Sequence, residues 1–257
     1  MPCNARLKEG LRSGRVMVGS WITLAHPAIA EIMARAGFHW LAVDLEHSVI
    51  TIREAEELIR VIDLCGASPL VRLTSNDPNL IKRVMDAGAH GIIVPMVKSR
   101  ADADAAVRAV RYPTEGNRGV GLARAQGYGA AFGDYRQWLE EGAVVIVQIE
   151  HIDAVDTIGP ILSHPGVDGY ILGPYDLSGS MGLVAQFAHP DFLAAMARVR
   201  DCGKALNKPG GLHIIEPDPP ALKARIDEGF RFLAYSLDIR MLDASCRAGL
   251  TTLENLS

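Results

Sequence analysis

Aromatic residues make up only 6% of this 257-residue chain, and cysteine occurs four times (Cys3, Cys65, Cys202 and Cys246) with no CxxC pair. Cysteines this sparse build no disulfide framework, and His and Cys never stand at zinc spacing, so a reduced, cytoplasmic protein is expected. An excess of positive charge is missing too: 26 Lys plus Arg face 30 Asp plus Glu, a formal net charge of −4. Such a chain has no basic field to hold nucleic acid or an anionic membrane. Long apolar runs are also lacking, and the opening MPCNARLKEGLRSGR is too polar for the apolar centre of a signal peptide. What is present, 49% hydrophobic and 22% charged residues, suits a globular protein that buries its core without staples, expected as a single domain over residues 1–257.

Eight short apolar runs follow one another: VMVGSWI (16–22), WLAVDL (40–45), PLVRL (69–73), GIIVP (91–95), VVIVQIE (144–150), GYILG (169–173), GGLHI (210–214) and FLAYS (232–236). Helix signals fill the intervals, over 26–36, 51–64, 77–86, 100–110, 151–162, 189–206, 218–228 and 238–248, with proline at first turns and aspartate at caps. β-branched strands alternating with helices predict a parallel sheet covered by helices, and eight such units in about 250 residues predict an α/β fold of the closed (β/α)8 TIM-barrel type. The rival, an open doubly wound sheet, usually carries a glycine fingerprint after its first strand that this chain lacks. A short helix over 5–12 is expected to plug the barrel's bottom.

Strands buried on both faces should be apolar, so polar residues at their C-terminal ends need a reason. Here they cluster: Asp44, Glu46 and His47 after the second strand, Arg72 on the third, Gln148 and Glu150 on the fifth, Tyr175 and Asp176 after the sixth. A barrel brings all of these to its C-terminal mouth, where active sites of this fold lie. Period-2 alternation puts Ile146, Gln148 and Glu150 on one face, so Glu150 is expected to look into the mouth opposite Asp176. Two carboxylates completed by water suit a hard divalent ion such as Mg²⁺ or Mn²⁺, with Co²⁺ a further candidate. Taken singly, each residue also has a plainer reading. Glu150 could cap the helix starting at His151, Asp176 a turn before Leu177, and His47 could be a hydrogen-bonded loop histidine. Arg72 could be a structural partner of Asp44 or Glu46, although four polar ends at one mouth are a costly way to make salt bridges.

These stretches resemble the HpcH/HpaI aldolases, metal-dependent (class II) pyruvate aldolases that include 4-hydroxy-2-oxoheptanedioate and 2-keto-3-deoxy-L-rhamnonate aldolases. The resemblance spans nearly the whole chain and rests on AGFHWLAVDLEHS (36–48), VRLTSNDP (71–78), IKRVMDAGAHGIIVPMV (81–97), RYPTEGNRGVG (111–121), VQIE (147–150) and GPYDLSGSMG (173–182). It implies reversible cleavage of a 4-hydroxy-2-oxo acid to pyruvate and an aldehyde through a metal-stabilised enolate. It further implies Glu150 and Asp176 as metal ligands, Arg72 on the 2-oxo oxygen, and His47 as acid/base residue supported by Asp44 and Glu46. Gln148 would stand beside the substrate, the amides of Tyr175 and Asp176 would receive the pyruvate carboxylate, and Trp21 and Leu212 would line the pocket. The chain departs from the pattern at Tyr175, where some members have a smaller residue, and at His213, where an aliphatic residue is frequent. By the same resemblance Asp86 pairs with the histidine of a neighbouring subunit, in assemblies that are commonly trimers or hexamers. The long segment 111–133 and Asp86, both expected at the barrel's bottom, would then reach into an adjacent mouth.

Three other readings stay open on the sequence. A decarboxylase of an oxo-diacid or a citramalyl-type lyase would use the same enolate. A Schiff-base mechanism would need a lysine at the mouth, where Lys98 is the sole candidate, though it reads more simply as a solvated helix-start residue. A non-catalytic sugar-acid-binding barrel would bind ligand without breaking a carbon–carbon bond.

Overall fold

The computed structural model describes residues 6–254, so Cys3 and Ala5, the expected start of the first helix, lie outside the described residues. All eight expected strands form and pair in parallel in the order β1 to β8 to close a barrel. After α1 (Arg6–Arg12), the units run β1 (Met17–Ile22), α2 (Pro27–Arg35), β2 (Trp40–Asp44), α3 (Ile52–Leu64), β3 (Ser68–Arg72), α4 (Pro78–Asp86), β4 (Gly91–Val94) and α5 (Arg100–Val110). A 3₁₀ turn (Arg124–Gln126) and α6 (Phe132–Glu141) lead to β5 (Val144–Ile149), α7 (Ile152–Asp156), α8 (Ile158–Leu162), β6 (Gly169–Leu172) and α9 (Pro174–Ser180). The chain finishes with α10 (Pro190–Ala205), β7 (Gly210–Ile214), α11 (Pro219–Asp227), β8 (Phe232–Leu237) and α12 (Asp238–Glu254).

Local chemistry explains most of the boundaries. Proline occupies the first turn of α2, α4, α9, α10 and α11, where its missing N–H costs nothing. Thr51 and Glu54 form a reciprocal capping box at the start of α3. The helix expected over 151–162 is broken at Thr157 (φ −108°, ψ 18°). Pro160 has no N–H to offer the carbonyl of Asp156, and Arg198 Nη2 takes that oxygen at 3.3 Å instead.

Inside the barrel Trp21, Trp40, Leu70, Ile93, Ile146, Ile171 and Phe232 form one buried cluster, with Trp40 stacked on Phe232 at 4.3 Å between centroids. The opposite residues of each strand face the helices in a second, larger cluster. Helix α1 seals the bottom as expected: the Lys8 ammonium, 1% exposed, donates to the Ala143 carbonyl at 2.6 Å and pairs with Asp168 at 3.1 Å. At the other end the β1–β8 seam shifts register between Gly19 and Trp21. On β8 the shift falls at Ser236, whose φ is +53°. Among the described residues no helix is long and apolar enough to cross a membrane.

Candidate active site

The polar ends of β2 and β3 meet because Asp44 and Arg72 are paired in register. Asp44, 2% exposed, accepts from Arg72 Nε at 2.9 Å and from Nη2 at 2.6 Å. The same carboxylate takes the backbone N–H groups of Glu46 (3.1 Å) and His47 (3.3 Å), fixing the loop that carries both. Glu46 lies 3.4 Å from Arg72 Nε and 3.8 Å from His47 Nε2, yet its buried Oε2 has no hydrogen-bond partner among the described residues. Burial pushes the Glu46 carboxyl up to about 7; Arg72 draws it down, and the charges of Glu150, Asp44 and Asp176 raise it further.

Glu150 follows β5 and is 3% exposed, facing inward as the alternation predicts. It does not cap α7, whose N-cap is His151, bonded through its own side chain to the N–H of Asp153. Glu150 Oε1 instead accepts from the Met96 N–H at 2.6 Å, and Oε2 accepts from the Gln148 amide. A Cβ on Gly173 would stand 2.8 Å from both Glu150 Cβ and Oε2, so only glycine lets β6 pass this carboxylate. Burial raises the Glu150 pKa against those two hydrogen bonds, and the nearby Asp176 charge adds to the rise. Asp176 is exposed in the first turn of α9, where its carboxylate has no hydrogen-bond partner among the described residues.

Trp21, Thr23, Asp44, His47, Arg72, Gln148, Tyr175, Asp176 and His213 line one cavity of about 420 Å³ at the mouth. Arg72 Cζ stands 4.2 Å from the Trp21 ring centroid, a cation–π contact that fixes the guanidinium from its second side. Tyr175 forms the rim, 54% exposed, with its ring edge-on to Phe187 at 4.9 Å.

Two expected site residues are elsewhere. Leu212 does not line the cavity: its side chain belongs to the helix-side core, and its inward neighbours on β7 are Gly211 and His213. Pleat alternation decides this, and His213, which the sequence marks only as a departure from the family pattern, is the residue that enters the site. Asp86 lies at the barrel's bottom as expected, bound to Arg118 Nη2 at 2.6 Å. No lysine lines the cavity among the described residues; Lys98 precedes the N-cap Ser99 of α5, in keeping with a helix-start residue.

Arg72, its side chain 14% exposed, thus stands among four carboxylates, Asp44, Glu46, Glu150 and Asp176, one of which keeps an unpaired buried oxygen. That surplus of negative charge fits a hard divalent cation. Among the described residues no three His, Cys, Asp or Glu side chains form a ready ligand set, so such an ion would take further oxygens from water or substrate.

The sequence matches the model of the HpcH/HpaI aldolase/citrate lyase family over residues 17–242. The chain belongs to that family. A hydroxypyruvate/pyruvate aldolase of Roseobacter denitrificans is 36% identical over 241 residues, 91% of each chain. A 4-hydroxy-2-oxo-heptane-1,7-dioate aldolase of Salmonella paratyphi C is 36% identical over 247 residues, 94% of this chain and 91% of that one. The crystal structure of a family member from Burkholderia cenocepacia superposes with a TM-score of 0.91 at 34% identity, covering 98% of this chain and 100% of the other. This HpcH/HpaI family member is therefore an enzyme of the carbon–carbon lyase class.

Proposed function

We propose that this family member cleaves and forms 4-hydroxy-2-oxo acids, with pyruvate or a close analogue as the 2-oxo acid and an aldehyde as the partner, and that Glu150 and Asp176 hold a divalent ion, Mg²⁺ or Mn²⁺ with Co²⁺ a further candidate. The observation that carries this reading is that Arg72, held by Asp44, and the exposed Asp176 line one cavity, while the buried Glu150 beneath Gln148 feels the charges of both. When bound, the ion supplies Lewis-acid stabilisation of negative charge on the oxygens of the 2-oxo acid.

The chain's own residues supply the rest. Arg72 directs a permanent charge at the 2-oxo oxygen, where electrons collect as the C3–C4 bond breaks. Its fork is fixed by Asp44 and Trp21 before substrate arrives, so little reorganisation accompanies the charge. His47, whose side chain is 63% exposed, takes the proton of the 4-hydroxyl as the aldehyde leaves, and Glu46 stands behind it to receive the resulting positive charge. The proton that completes pyruvate is added at C3. Gln148, fixed by Glu150, stands beside the substrate, and the first-turn amides of Tyr175 and Asp176 are free, as at any helix start, to accept the carboxylate.

An assembly with shared sites belongs to the same reading. His47 is open to solvent, and the 111–133 segment beside Asp86 exposes Val120 (57%), Leu122 (78%) and Tyr128 (70%), apolar surface that suits a second copy of this chain. A monomer with full activity at assay concentration would argue against it.

The test is pyruvate release from a panel of 4-hydroxy-2-oxo acids, coupled to lactate dehydrogenase, with Mn²⁺ or Mg²⁺ and again after EDTA. Cleavage that requires the metal supports the proposal; binding of pyruvate without any cleavage rejects it.

A further inference from the structure

His213 is a second polar group on the wall that Arg72 occupies. Its ring meets the Trp21 indole edge-on at 5.8 Å, and Arg72 lies 4.2 Å from the same indole. The tautomer of this histidine is set by its surroundings. Nε2 lies 3.2 Å from the carbonyl oxygen of Ser236, which can only accept, so Nε2 carries the proton. That carbonyl is held by a donated hydrogen bond from Ser20 Oγ (3.0 Å) and stands at the β8 irregularity, where Ser236 adopts φ +53°. Bulges of this kind re-aim groups at barrel rims. Nδ1 is left as a bare lone pair with no hydrogen-bond partner among the described residues, in a side chain that lines the cavity. Burial holds the imidazole pKa down to about 4; the Ser236 bond opposes this, the Arg72 charge assists it and the Asp44 charge resists it, so the ring is neutral at working pH.

A bare neutral acceptor beside the Arg72 guanidinium can be met only by a donor, and the donor that a 2-oxo acid can bring there is a hydroxyl. We propose that His213 Nδ1 accepts a hydrogen bond from a hydroxyl on C3 of the 2-oxo acid, so that the site favours a hydroxypyruvate-class donor over pyruvate. This rests on the reading above, in which Arg72 holds the 2-oxo oxygen: a histidine sharing the Trp21 ring with Arg72 stands beside the oxo-acid half rather than the aldehyde half. An aliphatic residue at this position fills the same space and offers the hydroxyl nothing, which is how a hydrogen-bonding site discriminates between substrates that differ by one oxygen.

The experiment compares the wild-type enzyme with His213→Leu and His213→Asn, using pyruvate or hydroxypyruvate as donor and glyceraldehyde or propanal as acceptor. The hydroxypyruvate-to-pyruvate ratio of kcat/KM is expected to fall about tenfold in H213L, the size of one neutral hydrogen bond. It should fall less in H213N, which keeps an acceptor near Nδ1. Calorimetric titration with the two oxo acids should show the same change in binding ratio. A ratio unchanged in H213L, or a loss that follows the hydroxyl of glyceraldehyde instead, overturns the inference. A wild-type enzyme that turns over no pair rejects the aldolase reading, and the binding ratio then still decides the role of His213. Because each variant is judged on a ratio measured with one preparation, partial misfolding does not imitate the result.

Discussion

Arg72 is locked to Asp44 by two hydrogen bonds, Nε at 2.9 Å and Nη2 at 2.6 Å, on side chains that are 14% and 2% exposed. A planar fork held by a carboxylate through two of its N–H groups is restrained from swinging, so its remaining N–H groups keep one direction. Arg72→Ala is expected to lower kcat on the order of a hundredfold or more, by comparison with the loss of one oxyanion donor. Arg72→Lys should recover only part of that loss, because an ammonium reproduces the charge and not the fork. Steady-state kinetics on the two variants checks this; an R72K enzyme equal to wild type would show that charge alone suffices.

Removal of one partner also leaves the other buried. In R72A the Asp44 carboxylate would keep only the two backbone donors of its loop, and breaking a buried pair costs about 3–5 kcal/mol. Chemical denaturation should show R72A markedly destabilised and Arg72→Ala/Asp44→Asn less so, with neither active. Equal stability of the single and double variants would mean that Asp44 is satisfied by its loop alone.

EDTA is expected to abolish cleavage, and Mn²⁺, Mg²⁺ or Co²⁺ to restore it, if Glu150 and Asp176 hold the ion. Metal at a hundred times its Kd should stabilise the fold by about 2.7 kcal/mol. Glu150→Gln and Asp176→Asn should lose that increment together with activity. The thermal shift on adding metal, measured without substrate, separates loss of the ion from loss of catalysis.

Glu46 gives the metal-free protein a pH signature. Its carboxyl titrates near 7 in the folded chain against 4.5 for an ordinary glutamate. Between those two values the unfolded chain has released the proton that the folded chain keeps, so this group makes stability fall as pH rises from about 4.5 to about 7, then level off. Glu46→Gln should remove that decline, which the difference between wild-type and variant unfolding curves in EDTA isolates. Metal should shrink the same slope, because a nearby cation favours the carboxylate. An E46Q profile parallel to wild type throughout would place the Glu46 pKa in the ordinary range.

The eight strands and the polar mouth are legible in the sequence because both are periodic: a β-branched run in a buried sheet rarely ends in charge unless that charge lines a site. Glu150 can be aimed correctly from Ile146 and Gln148 alone. Leu212 cannot be assigned to the pocket by resemblance without counting the pleat, which turns it outward and His213 inward. Helix α6 follows a glycine- and arginine-rich segment whose order comes from distant partners, Arg118 with Asp86 and Arg124 with Asp63. No local pattern announces a long-range pair. The break at Thr157 is legible in principle, since Pro160 stands four residues after the carbonyl it cannot serve.

Asp86 carries the last prediction, because two roles meet on it. Within the chain it neutralises Arg118, a guanidinium with 0% side-chain exposure that also donates to Tyr135 Oη at 3.0 Å and lies over the Tyr112 ring at 4.8 Å. Its own side chain remains 25% exposed, so an outer edge is available to a neighbouring His47 in the proposed assembly. Asp86→Asn should therefore cost stability, since it strands a buried charge, and also turnover. Arg118→Met combined with Asp86→Asn removes both charges of the pair and replaces the arginine stem by apolar volume, a change that is often nearly neutral. The double variant D86N/R118M is expected to regain stability and not activity, whereas R118M alone should keep much of its kcat if it still assembles. Unfolding midpoints, turnover and sedimentation on the three variants decide the matter: a double variant as active as wild type would confine Asp86 to holding Arg118.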